Sequence, residues 1–177
     1  MYSKVKIGRH PVHPMLVSFP VALYTVTLAC FVAYAVGAST FWFQVGLYAN
    51  LAGVVCAVIA AVPGLIDWAL GIPSGTRAKA TGLVHMLFNV AALLAFALNL
   101  VLEWPQRLDP RPPLGAWLIL PALGWVLTGA AGFFGWKLVQ THHVGVDLTP
   151  DQERLEPRPM PPAPRAGTAP HTGPGKI

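Results

Sequence analysis

A chain of 177 residues with 54% hydrophobic residues, 11% charged residues and a mean hydropathy of +0.55 is too apolar for a water-soluble domain. Its formal net charge of +5 does not point to nucleic acid, because the basic residues flank apolar stretches and are not clustered with interleaved aromatics. The partner that this composition selects is the lipid bilayer.

In chain order, the segment GRHPVHPMLVSFP (8–20) leads into the first of four uncharged apolar stretches, 15–36, 41–66, 80–102 and 114–136. Each exceeds the ~20 residues that a helix needs to cross a bilayer. The fold class expected is an all-α integral membrane protein: a four-transmembrane-helix bundle over 1–146, followed by a disordered C-terminal tail over 147–177. Lys4, Lys6 and Arg9 give the first stretch the flank of a secretory signal, but its apolar run is longer than the ~7–15 residues of such a signal, so the helix is read as retained. Pro20, Pro63 and Pro121 fall in the first, second and fourth stretches, where each removes an amide donor and marks a kink. Cys30 and Cys56 lie in apolar stretches without CxxC spacing, which indicates small lipophilic fillers and neither a disulfide framework nor a zinc ribbon. The tail has eight prolines and few large apolar residues, too little to offset chain entropy. No internal repeat is strong enough to alter this fold.

Small and polar residues line one face of each later span. They are Gly46, Asn50, Gly53, Ala57, Ala60, Gly64 and Asp67 on the second, Gly82, His85, Asn89, Ala92, Phe96 and Asn99 on the third, and Gly124, Thr128, Gly132 and Gly135 on the fourth. Such faces meet other helices, because small residues let backbones approach and polar groups avoid lipid.

Four spans put both termini and the second loop on one side. That side holds Lys4, Lys6, Arg9, Arg77, Lys79, Lys137 and the tail's basic residues, and the other holds Arg107 and Arg111. The positive-inside rule makes the first side cytoplasmic, in a bacterial inner (plasma) membrane. The same side gathers His10, His13, Asp67, His85, His142 and His143, leaving out, of the six histidines, only His171 in the tail.

These motifs carry a resemblance. GRHPVHPMLVSFP, PGLIDW at 63–68, the His85 to Asn89 pair and HHVGV at 142–146 together resemble the bacterial membrane proteins of the domain of unknown function family 2231, over about residues 8–146. The resemblance implies a four-helix membrane protein whose relatives are sometimes joined to Rieske or cytochrome c modules. It also implies two departures: His143 stands where a glycine is usual, and Lys137 where an acidic residue is frequent.

That company favours redox chemistry, and histidines on facing helices suit haem b, with quinone or a Rieske or cytochrome c type protein as electron partner. At ~1.5 Å of rise per residue His13 lies ~6 Å inward of Arg9 and His85 ~9 Å inward of Lys79, so the two are level, while His142 lies ~7.5 Å outward of Lys137. The cofactor-binding set expected is His13 and His85 as ligands, with Asp67 and Asn89 behind them; His142 and His143 are candidates at the rim. The alternative is a divalent-metal site of His10, His13, His85 and Asp67. A noncatalytic scaffold with a polar packing seam also fits, since Gly53, Gly64, Gly82 and Gly132 either make room for a macrocycle or let helices pack. Asp67 either orients an imidazole or pairs with Arg77. No nucleophile elbow, phosphate loop or dinucleotide fingerprint is present, so a redox or accessory membrane role is favoured over an independent enzyme.

The charge segregation predicts that reporters fused after Ile177 signal from the cytoplasm and reporters at Asp109 from the opposite side. A cytoplasmic signal at Asp109 would overturn the orientation.

Overall fold

The structure is a computed structural model and describes residues 3–8, 10–37, 39–113, 118–146 and 149–155. Four long helices follow one another: α1 (Val12–Ala35), α2 (Thr40–Ile66), α3 (Arg77–Glu103) and α4 (Ile119–Gln140). All four are long and apolar enough to cross a membrane. Their outward faces are apolar, with Phe19, Val58, Leu87, Leu94, Val126 and Phe133 exposed, whereas Thr27, Asn50, Asn99 and Glu103 are buried. A bundle with its polar groups inside and its hydrocarbon outside has lipid as its solvent.

A two-stranded hairpin, β1 (Lys6–Ile7) and β2 (His10–Pro11), precedes α1. The last turn of α2 continues as a π-helical turn over Asp67–Gly71, and α3 continues as a 3-10 turn over Trp104–Leu108. Pro20 and Pro63 lie inside α1 and α2 as expected. Pro121 does not interrupt α4, which begins at Ile119 instead of 114: the proline sits in the first turn, where its missing amide has no intrahelical acceptor to lose.

The chain divides into two units, residues 1–147 and 148–177. In the second, the stretch expected to be without structure holds one short helix, α5 (Pro150–Leu155). A capping box starts it: Gln152 N donates to Thr149 Oγ1 (3.3 Å) and Thr149 N donates to Gln152 Oε1 (2.9 Å). The rest of the expected tail, 156–177, lies outside the described residues, as does His171.

In the membrane unit α1 packs closely along α2, and α3 along α4, while the contacts of α2 with α3 and of α1 with α4 are sparser. These two helix hairpins repeat one design that the sequence did not reveal. An offset of 72 positions carries His13 to His85 and Tyr24 to Phe96 on α1 and α3, and an offset of 71 carries Gly53 to Gly124, Ala60 to Ala131 and Gly64 to Gly135 on α2 and α4. A Cβ on Gly53 would stand 2.9 Å from the Tyr24 ring, and one on Gly124 would stand 2.6 Å from the Phe96 ring. The two rings stack on each other, centroids 3.7 Å apart and planes within 2°. Residues that meet their own counterparts lie beside the axis relating the two copies, so a pseudo-two-fold axis runs along the bundle through Tyr24 and Phe96.

The layer Gly53, Tyr24, Phe96, Gly124 has no slack. Gly124→Ala is expected to cost about 1–3 kcal/mol from overpacking. Gly132→Ala, at a position with open space around its Cβ, is expected to leave stability unchanged or slightly raised. Thermal unfolding in detergent checks both; equal midpoints for the two variants would contradict the layer.

Candidate functional site

The axis that passes between Tyr24 and Phe96 also passes the one place where two histidines meet. His13 lies in the first turn of α1, just after the hairpin and the Pro11 that precedes the helix. Its Nδ1 donates to the carbonyl of Ala60 on α2 (2.8 Å). His85, on α3, repeats this with Ala131 on α4 (2.8 Å). A carbonyl only accepts, so each imidazole carries its proton on Nδ1 and leaves Nε2 as the basic nitrogen. The rings stand edge to face, centroids 6.2 Å apart and planes at 87°.

Both contacts rest on glycine. In a helix the amide of residue 64 bonds the carbonyl of residue 60, and a Cβ at 64 would shield that carbonyl's free side. At Gly64 this Cβ would stand 2.7 Å from His13 Nδ1, and at Gly135 the equivalent atom would stand 3.0 Å from His85 Cε1. Of the two roles open to the glycines, room for a macrocycle or close packing, most serve packing against side chains of the chain itself. Tyr24 occupies Gly53, His13 occupies Gly64 and Trp68 occupies Gly82, while Gly132 faces open space.

Asn89 belongs to the pair, as its place one turn beyond His85 implied. Its Nδ2 donates to the His85 carbonyl (2.9 Å) and lies 3.1 Å from His85 Nε2, which accepts from it. Asp67 does not belong. Its Oδ1 accepts from the amides of Lys4 (2.6 Å) and Val5 (3.1 Å), and its Oδ2 accepts from Ser3 Oγ (2.7 Å). The carboxylate holds the N-terminal strap against the end of α2; it neither orients an imidazole nor pairs with Arg77.

The remaining candidates are dispersed. His10 is exposed on β2. His142 Nε2 lies 3.2 Å from Thr81 Oγ1, which ties the end of α4 to the start of α3. His143 has φ +50°, a left-handed conformation that favours glycine. Among the described residues no three His, Cys, Asp or Glu side chains gather to hold a metal ion, so the four-donor arrangement of His10, His13, His85 and Asp67 is not assembled.

The other motif residues have structural duties. Trp68 Nε1 donates to the Lys79 carbonyl (3.1 Å), and the Lys79 ammonium lies over the Trp68 ring at 4.2 Å. That ammonium also donates to the carbonyls of Trp68, Ala69 (3.2 Å) and Ile72 (3.3 Å), capping the π-helical turn with a positive charge.

One buried acid escaped the sequence reading. Glu103, at the other end of the bundle, is fully buried with both carboxylate oxygens unpartnered among the described residues. It stands one residue beyond the stretch read as uncharged, where an acid looks like a boundary. The signal that would have found it is its spacing after Phe96 and Asn99 on one helix face.

The fold and the paired histidines define a four-helix membrane bundle built from two like hairpins. The chain matches the family described as "Predicted membrane protein (DUF2231)" over residues 9–148, and it belongs to that family. No curated protein and no solved structure matches it.

Gly135→Ala is expected to detach His85 from Ala131 and to lower stability by about 1–3 kcal/mol. Imidazole 15N shifts would register loss of the Nδ1 hydrogen bond beside the lowered unfolding midpoint. An unchanged His85 signal would show that glycine is not what exposes the carbonyl.

Proposed function

We propose that this chain is a membrane electron-transfer protein in which His13 and His85 bind the iron of one haem b, each from its own hairpin. The observation carrying this reading is the anchoring of both Nδ1 atoms on backbone carbonyls, which leaves two Nε2 atoms as ligands. Imidazoles that bind metals commonly donate their other N–H to a carbonyl, which fixes the ring and raises its basicity. His13 and His85 would hold the iron through Nε2, each imidazole fixed by its Nδ1 bond to a backbone carbonyl, and the two ring centroids lie 6.2 Å apart.

Contacts are dense within each hairpin and sparse between them. Eleven residues separate His13 from Tyr24, or about 16 Å of helix before the aromatic layer closes the axis. With haem bound, Asn89 would give up its contact with His85 Nε2 and keep its bond to the His85 carbonyl. The haem supplies a one-electron couple, and the bundle supplies the two ligands, their fixed orientation and a water-poor surrounding that tunes the potential. Quinone or a Rieske or cytochrome c type protein is the electron partner of this reading.

Absorption spectra of the oxidised and reduced protein, purified in detergent after expression with adequate haem, test it. A Soret band is expected in the parent, lost in His85→Ala, lost or strongly reduced in His13→Ala and unchanged in His142→Ala. Absence of the band in the parent, or full haem content in both single variants, would overturn the reading and leave the pair a packing device.

A further inference from the structure

The end of the bundle away from the histidines holds polar capacity that nothing among the described residues satisfies. Asn50 on α2 donates through Nδ2 to the Phe96 carbonyl (3.1 Å) and to Asn99 Oδ1 (2.9 Å), both on α3. These two bonds fix the amide's orientation and make Oδ1 its remaining group. Asn50 Oδ1, the Tyr24 hydroxyl and both oxygens of Glu103 are buried without a hydrogen-bond partner among the described residues. Asn50, Asn99 and Glu103 are all 0% exposed. Glu103 lies one turn beyond Asn99 on the same face of α3.

A bare carboxylate in such a place is costly, and an acid buried within a membrane bundle pairs with a cation or carries a proton. The neighbouring elements supply no counter-charge. α1 and α2 contain no Lys or Arg, and the one in α4 is Lys137, at the far end. Arg107, one turn beyond Glu103, donates to the Trp104 carbonyl (3.0 Å) with its guanidinium 5.2 Å from the Trp104 ring. Asp109 and Arg111 are exposed. The nearby titratable groups of α1 and α2 are Cys30, Tyr34 and Tyr48. Cys30 is buried, Tyr34 donates to the Pro112 carbonyl (2.7 Å) and Tyr48 is exposed against Trp104. Three of the four unpartnered atoms are acceptors only, so what is missing is a positive charge or a donor.

We propose that Glu103, with Asn50 and Asn99, forms a second site in this bundle that takes up one positive charge, a proton or a sodium ion. One charge suffices: it neutralises the single carboxylate and leaves no net charge in the apolar interior. Oxygen donors from a carboxylate and amides suit a hard cation, and a proton on Glu103 turns an unpartnered acceptor into a donor. The site owes nothing to the histidine pair.

The test uses the full chain in detergent, as parent, Glu103→Gln, Asn50→Ala and the control Asp151→Asn. Unfolding midpoints are compared in sodium chloride and choline chloride at equal ionic strength, and infrared spectra at neutral pH are read for a protonated carboxyl band. A saturable rise in midpoint with sodium, abolished in Glu103→Gln and about tenfold weaker in sodium affinity in Asn50→Ala, identifies sodium. No sodium effect, with a protonated carboxyl band that Glu103→Gln removes and Asp151→Asn does not, identifies a proton. Should Glu103→Gln not fold, the Asn50→Ala protein decides, by its weakened sodium response or by a shift in the band. A parent with neither a sodium response nor the band would overturn the proposal, whatever its haem content.

Discussion

The contact on which this bundle depends is a glycine backbone pressed against an aromatic ring, made twice and joined through the rings. Inside lipid, helices gain little from hiding hydrocarbon, so close packing has to draw them together. Gly53 meets Tyr24, Gly124 meets Phe96, and the two rings stack on each other. Aromatic pairs generally prefer offset or edge-to-face arrangements, and here the helix backbones behind both rings leave the parallel one. Because each ring belongs to one hairpin and sits against a glycine of the same hairpin, a single layer fixes the geometry within each pair and the docking between the pairs.

The same grammar repeats along the axis. On α1 the residues 13, 24 and 31 are spaced by eleven and seven, and 85, 96 and 103 on α3 follow the same spacing. Both intervals are close to whole numbers of turns, so each set forms one stripe. His13 against Gly64 and His85 against Gly135 form the layer at one end. At the other end Phe31 packs against Gly46, but its counterpart in the second hairpin is Glu103, and Thr27 and Asn50 face the counterpart positions Asn99 and Pro121. The duplication is kept at the histidines and broken at the acid. A symmetric layer suits one group held equally from both sides, whereas the broken layer leaves unpartnered polar atoms in both copies, Asn50 Oδ1 in the first and the Glu103 carboxylate in the second.

How much of this was legible follows from where the information resides. Spans and the proximity of His13 and His85 could be read because hydropathy sets the topology, and topology sets height. The repeat could not, since identity survives at a few scattered positions, among them His13/His85, Gly53/Gly124, Ala60/Ala131 and Gly64/Gly135, and the lipid-facing positions between them need only be apolar. Asp67 was misplaced because its partners, Ser3, Lys4 and Val5, come from a strap whose path has no periodic signature. The glycines stayed ambiguous, because space for a ligand and space for a neighbour's ring leave the same residue in the sequence.

The two ends of the axis also differ in how their polar groups are satisfied, and that difference follows from the glycines. Removing a Cβ from α2 or α4 exposes the carbonyl one turn earlier, so at Gly64 and Gly135 the backbone itself becomes an acceptor, and a histidine, with a donor to offer, fits there. A carboxylate has no donor, so an exposed carbonyl would only repel it. Glu103 instead lies one turn beyond Asn99 on α3, and Asn50 has already given both of its amide protons to α3. Among the described residues nothing hydrogen-bonds the Glu103 carboxylate, while at the histidine level each imidazole's N–H is already matched by the fold.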